Sequence, residues 1–287
     1  MDWKLLDKVK VLAIQGLVSD DDLMEKLVLK GGNAIDLIHN AYQRGSLDLD
    51  FSIEDDFQGI ELSDLEKKVR ELLERSFQEA HLVAHDVRLM RRPSQVPTEL
   101  ASFWGGYRIE FKAIPEGLFN ELSGDVEAIR RNSLAIGRSS STVFRIEIST
   151  FEYCREKRAL DVGGFTVFVY SPVLIVVEKL RAICQQMEQY RQIVPSMHPA
   201  ARARDFFDIH SVVKQFGIDL SDSENIRLLK AVFDAKRVPT KYLSQIPEYR
   251  EFHRPDFVAV KDTVKPGVTI RDYDFYFDYV ISICPQL

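Results

Sequence analysis

The stretch LVLKGGNAIDLIHNAYQRGSLDLDFS, residues 27–52, places a glycine pair and two closely spaced aspartates within one short segment. Gly31 and Gly32 separate an apolar run from a predicted helix, and glycines at a helix start let backbone N–H groups approach an anion. Asp48 and Asp50 lie in a predicted strand, where residues two apart project from the same face. The segment therefore predicts a phosphate-binding turn followed by a pair of carboxylates.

This carboxylate pair favours a divalent cation. Two like charges at this spacing repel each other, so a bound cation or a raised pKa has to compensate, and hard oxygen ligands select Mg²⁺ or Mn²⁺. A calcium EF-hand that begins at Asp48 would need glycine at its sixth position and glutamate at its twelfth, where Ile53 and Gly59 stand. Taken alone, the pair would equally fit two exposed aspartates at the end of a strand.

Two common nucleotide-binding patterns are missing from the sequence. Neither the phosphate-loop pattern GxxxxGK[ST] nor the dinucleotide pattern GxGxxG occurs. No Ser, His and Asp arrangement stands out, and His85 and His210 are interpreted as structural. The sequence thus supports neither a P-loop nor a dinucleotide fold.

The composition is that of an ordinary globular protein. The chain has 287 residues, of which 45% are hydrophobic and 29% charged, a length that predicts about two domains. A net charge of −6 argues against a wholly nucleic-acid-binding surface, although local basic clusters can still contact phosphates. These clusters are Arg88, Arg91 and Arg92, and Arg130, Arg131 and Arg138.

The sequence predicts a soluble, cytoplasmic protein without a membrane span. The N-terminus lacks the order of a signal peptide, and the most apolar run, residues 165–177, is broken by Ser171 and Pro172. Three widely spaced cysteines indicate neither a disulfide framework nor a zinc site. A reducing cytosol fits this pattern best.

Hydrophobic periodicity predicts an α+β fold. The predicted strands cover residues 47–53, 82–90, 107–114, 144–150 and 165–171. The predicted helices cover residues 2–15, 20–29, 33–43, 64–79, 173–190, 202–215 and 222–235, with a last helix in the tail after Pro266. Ser63 and Glu66 predict a capping box for the helix at 64–79. We expect a mixed β-sheet with flanking helices in a domain at 1–171, followed by a mostly α-helical domain at 172–287.

A glycine turn followed by paired carboxylates resembles the signature of the nucleotidyltransferase superfamily. The strings LKGGNAIDL and RGSLDLDF resemble the AbiEii abortive-infection toxin family, with Asn33 where that family usually has Thr. SPVLIVVEKLRAI around Lys179 and RARDFFDIH around Asp205 resemble two further blocks, with Arg204 in place of a common Lys. The resemblance runs in the right order over about residues 25–215, and implies a nucleotidyltransferase-like catalytic domain.

The resemblance also implies roles for single residues. Asp48 and Asp50 would hold Mg²⁺ or Mn²⁺ ions that bridge the triphosphate of an NTP. The phosphate-binding residues would be Gly31, Gly32, Asn33, Ser46 and Lys179. Arg44 is expected to pair either with phosphate or with Asp36.

A third carboxylate would complete the metal site and help to deprotonate the acceptor hydroxyl. Glu147 in FRIEIS is the candidate, and Glu110 in YRIEFK is its rival. Lys179 would neutralise phosphate charge in the transition state, whereas its position on an apolar helix also fits a lysine that reaches solvent. Asp205 would face the same cleft and orient Lys179, or alternatively cap its helix.

The resemblance implies an enzyme, a magnesium-dependent nucleotidyltransferase that moves NMP from an NTP to an acceptor and releases pyrophosphate. It would be the toxin of a toxin–antitoxin system, with a cognate antitoxin as partner and RNA as acceptor, the 3′ end of tRNA being one candidate. A small-molecule acceptor such as an antibiotic is one alternative. A protein that binds nucleotide or a partner without turnover is the other.

Overall fold

A mixed, seven-stranded β-sheet organises the protein, whose computed structural model describes residues 3–34, 48–135, 141–264 and 267–285. The strands are β1 (Val28–Lys30), β2 (Leu49–Ser52), β3 (Leu82–Arg91), β4 (Gly106–Pro115), β5 (Phe144–Ser149), β6 (Lys157–Val162) and β7 (Phe165–Tyr170). Their order across the sheet is β3-β4-β5-β2-β1-β7-β6. The short strands β1 and β2 therefore lie at the centre of the sheet.

Helices flank the sheet and make up the second half of the chain. The α-helices are α1 (Trp3–Val18), α2 (Asp21–Lys26), α3 (Leu62–Gln78), α4 (Glu116–Glu121), α5 (Val126–Arg131), α6 (Pro172–Cys184), α7 (Ala203–Phe216), α8 (Ser223–Ala235), α9 (Arg250–His253), α10 (Phe257–Thr263) and α11 (Tyr273–Ile283). Three 3₁₀ helices cover Glu188–Gln192, Thr240–Tyr249 and Arg254–Asp256. Residues 31–34 are also helical. The predicted α+β class with a mixed sheet is confirmed.

One face of the sheet is polar across four strands. Lys30 pairs with Asp50, Asp50 with Glu147, and Glu147 with Arg108, and residues paired in register project from the same face. This row crosses β1, β2, β5 and β4. It places the carboxylate of Asp50 on the face that α1 and α3 leave uncovered.

The opposite face is apolar and carries α1 and α3. Phe77 of α3 packs edge to face on Phe111 of β4, with ring centroids 5.4 Å apart. The Ser76 hydroxyl of α3 donates to the carbonyl of Leu12 in α1 at 2.7 Å. A Cβ at Gly16 would lie 3.1 Å from the side chain of Ser76, so the absence of a side chain lets these two helices meet closely.

Two predictions near the sheet were wrong. The helix predicted at 20–29 ends at Lys26, because Val28–Lys30 pairs with strands on both sides and becomes β1. The predicted capping box is absent from the described residues: Glu61 is the N-cap of α3, and Glu66 instead accepts the N–H of Leu89 at 2.9 Å. Strand β6 was not predicted, and the helix predicted at 173–190 ends at Cys184 and is followed by a 3₁₀ helix.

The predicted last helix is α11, which packs on α7. Phe277 stacks on Phe206 with centroids 4.9 Å apart, and Tyr276 meets Phe207 edge to face at 5.1 Å. Within residues 171–264 and 267–285, the elements after β7 are helical, while the boundary at 171 stays a prediction. Among the described residues, no helix has the length and apolarity that a membrane crossing requires.

Candidate active site

A cavity of about 550 Å³ lies over the polar face of the sheet, between that face and the helices that follow β7. Segments far apart in sequence line it together. Its lining includes most of the predicted site residues that the structure describes, namely Gly31, Gly32, Asp48, Asp50, Lys179 and Asp205. Residues on both sides of the predicted boundary at 171 thus form one cavity.

Gly31 occupies a position that only glycine fits well. Its φ of +68° lies in the left-handed region, and a Cβ there would sit 3.0 Å from Oδ2 of Asp50. Lys30, directly before it, pairs with Asp50 in the sheet. The end of β1 therefore brings the glycine turn into contact with the second carboxylate of the pair.

Asn33 contacts the other carboxylate residue through the backbone. Its side-chain N–H donates to the carbonyl of Asp48, and the residue is buried. Asn33 is not among the residues that line the cavity. Asn33, which stands where the family usually has Thr, thus links the glycine turn to Asp48 through a hydrogen bond.

The carboxyl of Asp50 has a shifted pKa. Burial raises its pKa to about 6, against the opposing effect of the Lys30 ammonium, and Asp48, Glu178 and Glu147 raise it further. Burial and the neighbouring carboxylates together disfavour the charged form of Asp50, and Lys30 offsets part of this effect. A divalent cation would relieve the same repulsion.

The carboxylate pair suits Mg²⁺ bound together with a nucleotide. Within the part of the chain that the structure describes, no three His, Cys, Asp or Glu side chains are close enough together to hold a metal ion. Mg²⁺ is commonly held by one or two carboxylates, with substrate phosphates and waters as its other ligands. Asp48 and Asp50 fit that smaller ligand set.

Neither candidate for a third carboxylate lines the cavity. Glu147 lies beside Asp50 in register, but its carboxylate accepts the Nε–H of Arg108 at 2.6 Å. Glu110 accepts the Nε–H of Arg145 at 3.2 Å. The metal-binding role of Glu147 therefore stays a prediction, and it would require Arg108 to release the carboxylate.

Lys179 is buried rather than extended into solvent. Its ammonium donates to Asp205 and to Asp208, each at 2.8 Å. Asp205 is the third residue of α7 and also accepts from the guanidinium of Arg202. Burial opposes ionisation of Asp205, but Arg202 and Lys179 outweigh it and hold the pKa of that carboxyl well below its usual range. The expected contact between Lys179 and Asp205 is present.

A second group of charges in the cavity was missed at the sequence level. Glu152 is buried among three cations: Arg181 at 3.2 Å, and Lys30 and Lys236 at 3.6 Å each. These cations outweigh the effect of burial and lower the pKa of Glu152 to about 2. Burial lowers the pKa of Lys236 to about 8. Residues from four separate segments meet here, so no local spacing could have revealed the group.

The other predicted residues are distributed differently. Arg44 and Ser46 lie outside the described residues, as do Asp36 and Arg138. Arg92 of the first basic cluster lines the cavity, whereas Arg91 pairs with Asp56 at 3.4 Å. Arg130 of the second cluster pairs with Asp86 at 2.8 Å. Of the described arginines in these clusters, Arg92 is thus the one that lines the cavity.

The chain is similar to known proteins in sequence and in fold. Residues 13–279 match the model of a family described as nucleotidyl transferase AbiEii toxin, type IV TA system. The crystal structure of JHP933 from Helicobacter pylori is similar over 98% of this chain and 89% of that one, at 15% identity and a TM-score of 0.51. This likeness shows a shared fold.

The nucleotidyltransferase toxin MenT4 from Mycobacterium tuberculosis H37Rv is also similar in structure. The match covers 99% of this chain and 84% of that one, at 14% identity and a TM-score of 0.48. No curated protein sequence matches the chain.

Proposed function

Because this chain belongs to the nucleotidyl transferase AbiEii toxin family, we propose that it transfers NMP from an NTP to an acceptor hydroxyl and releases pyrophosphate. In that reaction the acceptor oxygen bonds to the α-phosphorus while the bond to the bridging oxygen breaks. The chain would act as the toxin of a pair in which a cognate antitoxin opposes it.

The observation that carries the proposal is the shared cavity. The glycine turn at Gly31, the carboxylates Asp48 and Asp50, and the ammonium of Lys179 all line it. Phosphoryl transfer needs little more from a protein than positioning and charge stabilisation around the phosphates. A cavity with these groups supplies both.

Each group has a distinct role in the proposed reaction. Backbone N–H groups at Gly31 and Gly32 would bind phosphate oxygens, a contact for which the missing side chain of Gly31 leaves room. Asp48 and Asp50 would hold Mg²⁺ or Mn²⁺, which supplies charge stabilisation for the attacking and leaving oxygens when bound. The proposal requires this pair alone, since phosphates complete the ligand set.

Lys179 would neutralise the charge that builds on the phosphates. Asp205 and Asp208 hold its ammonium at 2.8 Å each, so the lysine is fixed in position before the nucleotide arrives. Arg202 bonds to Asp205 as well and lines the cavity. These bonds hold two cations, Lys179 and Arg202, at the cavity wall.

For the acceptor we propose RNA, with the 3′ end of tRNA as the first to test. Among the described residues, four arginines line the cavity, and one of them, Arg181, pairs with the buried Glu152 at 3.2 Å. The other three are Arg92, Arg202 and Arg204, although Arg204 also pairs with Asp256 at 3.3 Å. Arginines around a cavity mouth would contact the backbone phosphates of a nucleic acid. The net charge of −6 limits such binding to this local surface.

The test is transfer of label from each α-labelled NTP to total RNA with Mg²⁺ present. We expect one RNA class to be labelled by the wild type, and Asp50→Asn to lose at least a hundredfold in rate. Asp55→Asn, an exposed aspartate five residues along, is the matched control and should keep full activity. NTP binding by calorimetry without labelling of RNA or of a small-molecule panel would favour a binding protein and contradict the proposal.

A further inference from the structure

One group of residues that line the cavity has no role in the proposed transfer reaction. Trp104 and Gly105 line the cavity together with Gln185, which directly follows α6, and Lys236, which directly follows α8. We call these four residues the Trp104 end. We infer that the Trp104 end binds the nucleobase of the NTP by stacking on the indole ring, an inference that rests on the proposed function.

The glycine turn and the Trp104 end lie apart both across the sheet and along its strands. Gly31 directly follows β1 and Gly105 directly precedes β4, and the sheet order places β2 and β5 between those strands. Three strand spacings correspond to about 14 Å across the sheet, and the register sets Gly105 four residues, about 13 Å, further along the strands than Gly31. A triphosphate at the glycine turn would therefore direct its nucleoside towards Trp104.

The cavity wall formed by α6 also runs from the proposed phosphate-binding residues towards the Trp104 end. Lys179 on α6 and Gln185, the C-cap residue of that helix, both line the cavity and are six residues apart. At 1.5 Å per residue, this helix carries the wall about 9 Å from the phosphate-binding lysine to the Trp104 end. The sheet and the helix thus lead from the phosphate groups to the same indole.

Trp104 is held in place by several contacts. The Lys236 ammonium donates to the carbonyls of Phe103 at 3.2 Å and Thr150 at 2.5 Å, and lies 5.9 Å from the indole centroid. The Tyr190 ring lies 6.3 Å away at a tilt of 53°. Gly105, with φ of +148°, gives the chain a turn that side chains rarely permit. The indole is therefore a fixed, half-buried surface.

The aromatic side chain at the Trp104 end suits a nucleobase better than a phosphate group. Trp104 is the one aromatic side chain among the described residues that line the cavity, and most of the others are charged or small. Every nucleobase has a π-face, so stacking on an indole adds affinity with little dependence on base identity. We expect the Trp104 end to strengthen the binding of all four NTPs to a similar extent.

The first experiment follows the fluorescence of Trp104 itself. The chain has two tryptophans, so Trp3→Phe leaves Trp104 as the single reporter. We expect each Mg-NTP to quench this emission on binding, and Mg-tripolyphosphate, which has no base, to bind without quenching. NTP binding by calorimetry that leaves the emission unchanged would overturn the inference.

The second experiment compares Trp104→Leu with Trp104→Phe. Leucine keeps an apolar side chain without a π-face, so it should weaken NTP binding about tenfold while leaving tripolyphosphate affinity unchanged. Phenylalanine should keep most of the NTP affinity. Equal NTP affinity in both variants and the wild type would overturn the inference, and the fluorescence result decides if the leucine variant does not fold.

These outcomes separate the inference from the proposed function. A wild-type protein that binds neither NTP nor tripolyphosphate contradicts the function, whatever happens at Trp104. A wild type that binds both, with no response of Trp104, contradicts the nucleobase site alone. Quenching by the RNA acceptor but not by NTP would assign the Trp104 end to the acceptor and also overturn the inference.

Discussion

At the scale of single residues, the proposed site depends on the close approach of Gly31 to Asp50. A Cβ on Gly31 would lie 3.0 Å from the Asp50 carboxylate, and its φ is +68°. The sequence predicted both residues as site residues, because a glycine pair and a DxD pattern are local features. It could not predict the contact, which depends on the antiparallel pairing of Lys30 with Asp50.

Gly31→Ala tests this contact against a matched control. Gly59 has a similar φ of +72°, but no described atom lies within 4 Å of the site of its Cβ. Both substitutions should cost about 1 kcal/mol of unfolding free energy, because left-handed backbone disfavours alanine. Gly31→Ala alone should also lower the transfer rate at least tenfold. Equal activity of the two variants, measured after urea denaturation confirms folding, would contradict the account.

At the scale of elements, buried polar contacts hold the helices in place around the cavity. His253 ends α9 and accepts the backbone N–H of Arg202 at 3.1 Å, just before α7 begins. Arg202 in turn bonds to Asp205, the carboxylate that holds Lys179. Helix patterns in the sequence predicted α7. No local pattern indicated that His253, 51 residues from Arg202, would accept a hydrogen bond just before that helix.

The His253 contact predicts a pH dependence of stability. Burial lowers the pKa of His253 from 6.5 to about 4, with Asp205 opposing and Arg202 assisting. Between those values the unfolded chain binds a proton that the folded chain does not. Stability from this residue is thus complete above pH 6.5 and falls by about 3 kcal/mol as pH drops through 4.

The measurement is urea denaturation at several pH values for the wild type and His253→Asn. Asparagine keeps an acceptor near the position of Nδ1 but does not titrate, so its stability should fall less between pH 6.5 and 4. His81→Asn, at an exposed histidine, should follow the wild type. Identical slopes for all three proteins would show that His253 does not titrate as described.

At the scale of the whole molecule, Glu152 joins the sheet to the helical half of the chain. Its carboxylate lies near Lys30 of β1, Arg181 of α6 and Lys236 after α8. Strand and helix patterns in the sequence predicted the fold class, and the family resemblance implied the roles of the paired aspartates and of Lys179. Both missed Glu152, β1 and β6, because their roles come from pairing between distant segments.

Glu152→Gln should destabilise the entire protein rather than one half. The change leaves three buried cations without their shared counter-charge, which costs about 3 kcal/mol. We expect a lower melting temperature in a single calorimetric transition, since Glu152 contacts groups on both sides of residue 171. Glu156→Gln, an exposed glutamate four residues along, is the matched control. Two separate transitions in the variant would contradict this coupling.

The most direct measurement is a crystal structure of the protein with Mn²⁺ and a nonhydrolysable ATP analogue. We expect anomalous manganese density between the carboxylates of Asp48 and Asp50, with phosphates between the Gly31 turn and the Lys179 ammonium. Nucleotide and manganese bound elsewhere, or a cavity that stays empty at saturating concentrations of both, would contradict the central claim that these groups form one nucleotide site.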